Sequence, residues 1–190
     1  MIQTAAPPTL VRKTFDSPLG DMLAIATDEA LTLLEFADRR ALPTELRDVR
    51  ERFGTEAVEG DNAILDQTRR ELAGYFAGDR RVFTIPLTDH GTPFQRRVWD
   101  ELGAIPSGKT RTYGEMAERL GKPGGSRAVG RANGANRIAI VIPCHRVIRT
   151  GGDLGGYGGK LWRKQWLLGH EGVRLLNAPT PALFGQTPAP

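Results

Sequence analysis

Pro143-Cys144-His145-Arg146-Val147, entered through Ile138-Ala139-Ile140-Val141-Ile142, is the stretch from which the rest of the chain is read. Cys144 is the only cysteine among 190 residues. It therefore has no disulfide partner and no companions for a thiolate zinc site. The apolar run reads as a buried strand, and Pro143, which cannot donate to a ladder, ends it. This places a thiol at the edge of a core with an imidazole beside it. A free thiol has a pKa of ~8.5 and is mostly protonated at neutral pH. A neighbouring base lowers the cost of making thiolate, the nucleophilic form. Taken alone, the same residues fit an inert core cysteine, since free Cys is among the most buried residue types. The surroundings have to decide.

Working outward, 190 residues with 39% hydrophobic content suit one globular domain or two small ones. There is no run of ~18 apolar residues, so no membrane span is expected. Met1 to Leu10 lacks a basic region followed by an apolar core, so no secretory signal is read there. The expected compartment is the cytoplasm, with Cys144 kept reduced. The net charge of +4 hides a division. Residues 1–90 carry 11 Lys/Arg and 16 Asp/Glu, whereas residues 91–190 carry 15 and 6. A basic second half points to a polyanion partner.

The first half reads as an α+β unit with a small antiparallel sheet. Phe15 to Gly20 is a strand end and turn, Met22 to Ala26 and Leu31 to Phe36 are strands, and Val82 to Leu87 is a short strand broken by Pro86. Leu42 to Phe53 and Ile64 to Phe76 have helical spacing, with Gly78 as a stop. No chemical motif lies in this half. Asp89 to Pro93 is the expected boundary, where Thr92 caps a helix with Pro93 at its first position. Thr112 then caps a helix from Tyr113 to Leu120, with Glu115 as its capping-box partner. A glycine turn follows, and Ser126 opens a second helix to about Ala132, which together make a helix-turn-helix pattern. That second helix is rich in small residues, which suit close approach to a nucleic-acid groove. Gly151 to Gly159 holds six glycines, which allow it to pass close to a ligand, with Tyr157 as a stacking or donor group. Lys160 to Gly169 reads as the last helix, with Glu171 at its end. Residues 176–190 are Pro-rich and expected to be disordered.

Together these residues resemble the O6-alkylguanine-DNA alkyltransferases, also called methylated-DNA–protein-cysteine methyltransferases. The resemblance rests on Pro143 to Val147 and on Phe94-Gln95, Val98-Trp99, Ile105 to Gly108, Thr112 to Glu115, Arg127 to Gly130 and Ala132 to Asn136 in order and spacing. It continues through Gly155 to Gly159, Lys164, Leu167-Leu168 and Glu171, covering about residues 92–173 strongly and 10–88 weakly. It implies a ribonuclease H-like N-terminal unit over residues 1–90 and a mostly helical DNA-binding, alkyl-accepting unit over 91–175.

The activity so implied is single-turnover transfer of an alkyl group from O6-alkylguanine in DNA, with O4-alkylthymine as a further substrate, to Cys144. No cofactor and no metal are involved. The resemblance makes His145 the base acting through a water, Glu171 the carboxylate that orients it, and Asn136 a brace between recognition helix and active-site stretch. It assigns Tyr113, Val147, Tyr157, Gly158 and Lys164 to the substrate pocket. It assigns Arg127, Ser126, Ala128, Gly130 and Thr112 to the DNA surface, with Arg127 filling the space left by a flipped base. The implied partner is double-stranded DNA, bound through the minor groove by a monomer, with no membrane partner. Three positions depart from the commoner pattern: Gly158 for Ser or Ala, Lys160 for Gly, and Arg137 for Pro. Two other readings of the residues are a Cys-His hydrolase, which leaves the basic half unexplained, and a non-catalytic DNA-binding regulator.

Overall fold

In the computed structural model, which describes residues 9–88 and 90–174, the apolar alternation of the first half folds into a hairpin-based sheet. Strands β1 (Val11–Phe15), β2 (Met22–Ala26) and β3 (Leu31–Phe36) pair antiparallel in succession. A two-residue strand, β4 (Val58–Glu59), adds to β1 in parallel, so the sheet is mixed, with order β3-β2-β1-β4. Too short to carry a periodic signal, β4 could not be read from the sequence.

Helices cover both faces. Helix α1 (Leu42–Phe53) packs Leu42 and Val49 against Leu10, Ile25 and Leu33. On the other face, α2 (Ala63–Ala77) brings Ile64, Leu65, Leu72 and Tyr75 against Met22, Ala24, Leu34 and Phe36. Asn62 caps α2 by accepting from the Leu65 N–H at 2.9 Å, and Gly78 ends it in the left-handed conformation. Each fully buried Leu here is worth about 1.5–3 kcal/mol.

The outer edge of β3 decides where the site sits. Every residue of β3 is buried, although the strand lies at the end of the sheet. Two irregular segments cover its edge. Leu31 bridges Leu87, and Leu34 bridges Ile138, with Ala139 N–H donating to Leu34 O at 2.8 Å. This corrects two expectations. Neither Val82–Leu87 nor Ile138–Ile142 is a strand; each makes a single bridge and turns away. Apolar composition registered their burial, but a short apolar run does not distinguish a strand from a buried turn.

The second half is helical. Helix α3 (Pro93–Gly103) begins with a full capping box between Thr92 and Gln95. After β5 (Arg111–Thr112) come α4 (Tyr113–Arg119), with its Thr112–Glu115 capping box, and α5 (Ser126–Gly134). Val98, Trp99, Leu102, Met116, Ala117, Leu120, Val129 and Ala132 form one apolar cluster among these helices. A two-residue strand, β6 (Val147–Ile148), pairs in parallel with β5, and α6 (Leu161–His170) closes the described chain. Leu167 of α6 and Ile138 to Ile140 join the apolar cluster of the N-terminal sheet, so the halves share a core. Among the described residues no helix is long and apolar enough to cross a membrane. Of residues 1–10 only the last two are described, and the Pro-rich tail over 176–190 lies outside the described residues.

Candidate active site

Cys144 opens a 3-10 turn, Cys144–Arg146, directly after the buried turn that docks on β3. Ile140 within that turn has a φ of 71°, a left-handed conformation that a β-branched residue resists. Asn136 holds the turn in place. Its Oδ1 accepts from Ile138 N–H at 3.0 Å, and its Nδ2 donates to Ile142 O at 2.9 Å. The same Nδ2 lies 3.2 Å from Cys144 Sγ as a donor. One amide thus replaces the strand partners that this backbone lacks and holds the sulfur's position. Burial pushes the Cys144 thiol above its ordinary pKa, and the Asn136 hydrogen bond only partly offsets this.

Behind the cysteine lies a buried network centred on Glu171, at the C-terminal end of α6. Glu171 Oε1 accepts from His145 Nε2 at 2.9 Å and from Tyr75 Oη at 2.9 Å. Arg146 forks onto the same carboxylate, Nε to Oε2 at 2.8 Å and Nη2 to Oε1 at 2.9 Å, and its Nη1 reaches Ile105 O at 2.6 Å. Burial raises the Glu171 pKa, but the hydrogen bonds from His145 and Arg146 outweigh it and hold the carboxyl well below the usual range. An ionised Glu171 requires the proton of His145 to sit on Nε2, which leaves Nδ1 as an acceptor. Nδ1 has no hydrogen-bond partner among the described residues. Burial also lowers the His145 pKa, more than Glu171 raises it, so the imidazole is neutral at physiological pH.

In front of Cys144 is a cleft of about 690 Å³, a common size for a small-molecule site. Tyr113, Ser126, Arg127 and Gly130 line it from α4 and α5, Gly156, Tyr157 and Gly158 from the glycine loop, and Arg39 from the first half. Gly130 and Gly155 lie against the Tyr113 ring: an added Cβ would sit 3.8 Å and 3.5 Å from it. Burial raises the pKa of both tyrosines, and the buried Tyr157 hydroxyl has no partner among the described residues. Arg127 and Ala128 are exposed on α5. Other sequence candidates sit off the cleft. Val147 is in the core, Thr112 serves as the α4 cap, and Lys164 lies behind the loop, donating to Val147 O at 2.6 Å and to the carbonyls of Leu154 and Gly156. Burial brings the Lys164 ammonium down to about 8.

Residues that escaped the sequence reading of the site include Arg39, Tyr75, Asn133 and Arg146, and Arg149 and Thr150 on the cleft wall. Arg146 stands inside the Pro143–Val147 stretch, and its arginine beside a buried carboxylate was the available signal. Asn133 lines the cleft and donates to Cys144 O at 3.3 Å. Arg39 comes from the half without a chemical motif, and no local pattern marks it; Tyr75 stands among the residues, Leu72, Tyr75 and Phe76, that carry the weaker resemblance of that half, which gave it no role. Among the described residues no group of three or more His, Cys, Asp or Glu could hold a metal ion.

Two families match the chain in tandem. The one described as 6-O-methylguanine DNA methyltransferase, ribonuclease-like domain, covers residues 10–88, and the DNA binding domain of the same description covers residues 93–173. A methylated-DNA–protein-cysteine methyltransferase of Mycolicibacterium paratuberculosis is 46% identical over 159 residues, spanning 84% of this chain and 90% of that protein. A protein of the same name from Salmonella typhimurium is 44% identical over 172 residues, spanning 88% and 98%. Among crystal structures, the Mycobacterium tuberculosis O6-methylguanine methyltransferase superposes with a TM-score of 0.74 at 40% identity, covering 86% of this chain and 93% of that one. The Mycobacterium tuberculosis OGT in complex with DNA superposes with a TM-score of 0.73 at 40% identity, covering 84% and 91%.

Proposed function

The chain belongs to the 6-O-methylguanine DNA methyltransferase family, and on that premise we propose that Cys144 is the acceptor in a direct-reversal repair of O6-alkylguanine in DNA. The observation that carries this is one arrangement: Cys144 on the wall of the cleft, with the His145–Glu171 pair buried behind it. The residues 1–90 unit supports the site, and the residues 91–175 unit holds DNA and accepts the alkyl group.

The chemistry follows from the protonation states. The buried thiol rests protonated, and neutral His145 takes its proton at Nδ1 through a water. Glu171 stabilises the imidazolium that forms, as in hydrolytic triads. Sulfur attacks the alkyl carbon, an S–C bond forms and the C–O6 bond breaks. The electron pair stays on O6, where the Tyr157 hydroxyl donates to the developing charge, and the proton released from the thiol returns to the guanine. The product is a thioether, stable to water, so each molecule acts once and needs no cofactor. Glycine loop, Lys164 and Val147 set the pocket's shape from behind.

A base inside a duplex is out of reach, so the target guanine is flipped into the cleft. The α4–α5 pair enters the minor groove, with Ser126, Ala128 and Gly130 close to the backbone, Thr112 at the α4 end and Arg127 in the vacated stack. The protein acts on double-stranded DNA as a monomer, in the cytoplasm, where the thiol stays reduced.

The test is a mass measurement after incubation with duplex DNA carrying O6-methylguanine. Cys144 alone should gain about 14 Da, one CH2, because its thiolate is the only strong soft nucleophile present. Cys144→Ser should bind and acquire nothing. Methyl on another residue, or repeated turnover, would overturn the reading. Unstacking costs a few kcal/mol, so Arg127→Ala should slow duplex repair by about one to two orders of magnitude relative to reaction with the free base.

A further inference from the structure

Among the described residues Arg39 is the one cleft-lining residue from the first half. It follows β3 and reaches across to the glycine loop. Its side chain is only 8% exposed, and it is clamped on several sides. Nη1 lies 2.9 Å from Glu35 Oε1, and Nη2 lies 3.0 Å from Glu45 Oε1 and donates to Gly134 O at 3.0 Å.

Opposite it stands Gly158. A Cβ added there would lie 2.6 Å from Arg39 Nη1 and 2.9 Å from its Cζ, closer than real Cβ atoms approach any neighbour. The end of a free arginine would swing aside at little cost. This one is held by the buried side chains of Glu35 and Glu45 and by a carbonyl, so moving it breaks its ion pair with Glu45 and two further buried polar contacts. Gly158 does not have a positive φ, so its backbone tolerates a side chain and the contact alone forbids one.

The neighbouring residues fix the same approach. Asp38 accepts from Lys160 Nζ at 2.6 Å and from Arg163 Nη1 at 2.6 Å, which ties the segment before α1 to the residues that follow Gly159. Lys160 has a φ of 73°, an uncommon conformation for a non-glycine residue. Two of the three departures from the commoner pattern, Gly158 and Lys160, therefore meet the adjacent residues Arg39 and Asp38. The third, Arg137, pairs with Asp48 of α1.

We propose that Arg39 is the specificity-determining wall of the alkyl pocket: its guanidinium occupies the space that a side chain at position 158 would take, and so limits the size of alkyl group that reaches Cys144. This rests on the alkyl-transfer reading above. The limit is steric: a guanidinium clamped by Glu35, Glu45 and the Gly134 carbonyl does not swing aside for a bulky group. A methyl group needs little of that space, whereas a benzyl group needs it vacated.

The experiment measures second-order rates of thioether formation on two duplexes, one with O6-methylguanine and one with O6-benzylguanine. Four proteins are compared: the unaltered chain, Arg39→Lys, Gly158→Ala, and the double variant. Arg39→Lys keeps a cation beside Glu45 but frees the space of the fork. The benzyl-to-methyl ratio should rise at least about tenfold, within the range that a methylene-sized change in a pocket produces. Gly158→Ala should slow both reactions about tenfold or more, and the double variant should recover most of that loss, since contacting residues are not additive. An unchanged ratio in folded Arg39→Lys overturns the proposal. If Arg39→Lys fails to fold, Gly158→Ala decides alone: unaltered rates on both duplexes overturn the proposal. Absence of any thioether with the unaltered chain would instead break the alkyl-transfer reading.

Discussion

Two buried carboxylate–arginine clusters lie near Cys144, and they ionise in opposite directions. Glu171 receives four hydrogen bonds, from His145, Tyr75 and the fork of Arg146, and stays ionised despite burial. Glu35 shares the single cation Arg39 with Glu45; burial, together with that second carboxylate, pushes its pKa up to about 8. Both carboxylates sit in dry surroundings. The difference lies in the supply of donors: a carboxylate that accepts several hydrogen bonds stays charged, and one that shares its cation takes up a proton. The first cluster can therefore polarise a histidine, while the second holds an arginine in place without adding a full negative charge near the thiol.

The largest effect should come from breaking the first cluster. Glu171→Gln leaves Arg146 without a charge partner in the core, so it should cost about 3 kcal/mol or more in urea unfolding. It should also slow transfer, and its effect with His145→Ala should be less than the product of the two, because the pair acts as a unit. A fully multiplicative double variant would show that the two residues work separately.

Acidification should come next. Unfolded His145 takes a proton near its ordinary pKa, 6.5, while the folded side chain resists until lower pH. In that window the unfolded chain binds more protons, so stability falls as pH falls. Glu171 adds a second loss further into acid, since its folded pKa lies below its ordinary 4.5. Stability and transfer rate should therefore both decline below about pH 6.5. A profile with no acid decline, measured by unfolding and by rate, would mean that His145 is not held neutral.

The smallest effect should come from Glu35→Gln. Folded Glu35 keeps its proton up to about 8, while the unfolded side chain loses it near 4.5. Its contribution to stability is thus full in acid and declines as pH rises through that interval. The amide mimics the protonated acid, so the change should be within about 1 kcal/mol at pH 5 and favourable by pH 8. Destabilisation at pH 8 would show that Glu35 is ionised and that the two clusters are alike. Arg39→Met tests the same contrast from the other side. It should destabilise at pH 8, where Glu45 loses its nearest cation but keeps the attraction of Arg137, by about 1–3 kcal/mol.

Much of this architecture was legible in the residue order. The hairpin strands, helices α1 to α6 and the caps at Thr92 and Thr112 follow from periodicity and local hydrogen-bonding chemistry, which act within a few residues. Cys144 and His145 were identifiable because their motif is local and Cys144 has no rival, whereas Glu171, 26 residues from His145, was named only through the family resemblance. By itself the sequence singled out Cys144 as the candidate nucleophile and determined the basic half and the order of the elements, since each depends on residue type and spacing. Only the tertiary structure decided that Ile138–Ile142 is a turn held by Asn136 on the edge of β3, that Tyr75 reaches Glu171, and that Arg39 forms a wall of the cleft. The sequence separations across these last two contacts, 96 residues from Tyr75 to Glu171 and 95 from Arg39 to Gly134, explain why. No local pattern encodes a contact that forms only when two halves close over a shared core, where the available donors and the remaining space settle each side chain's place.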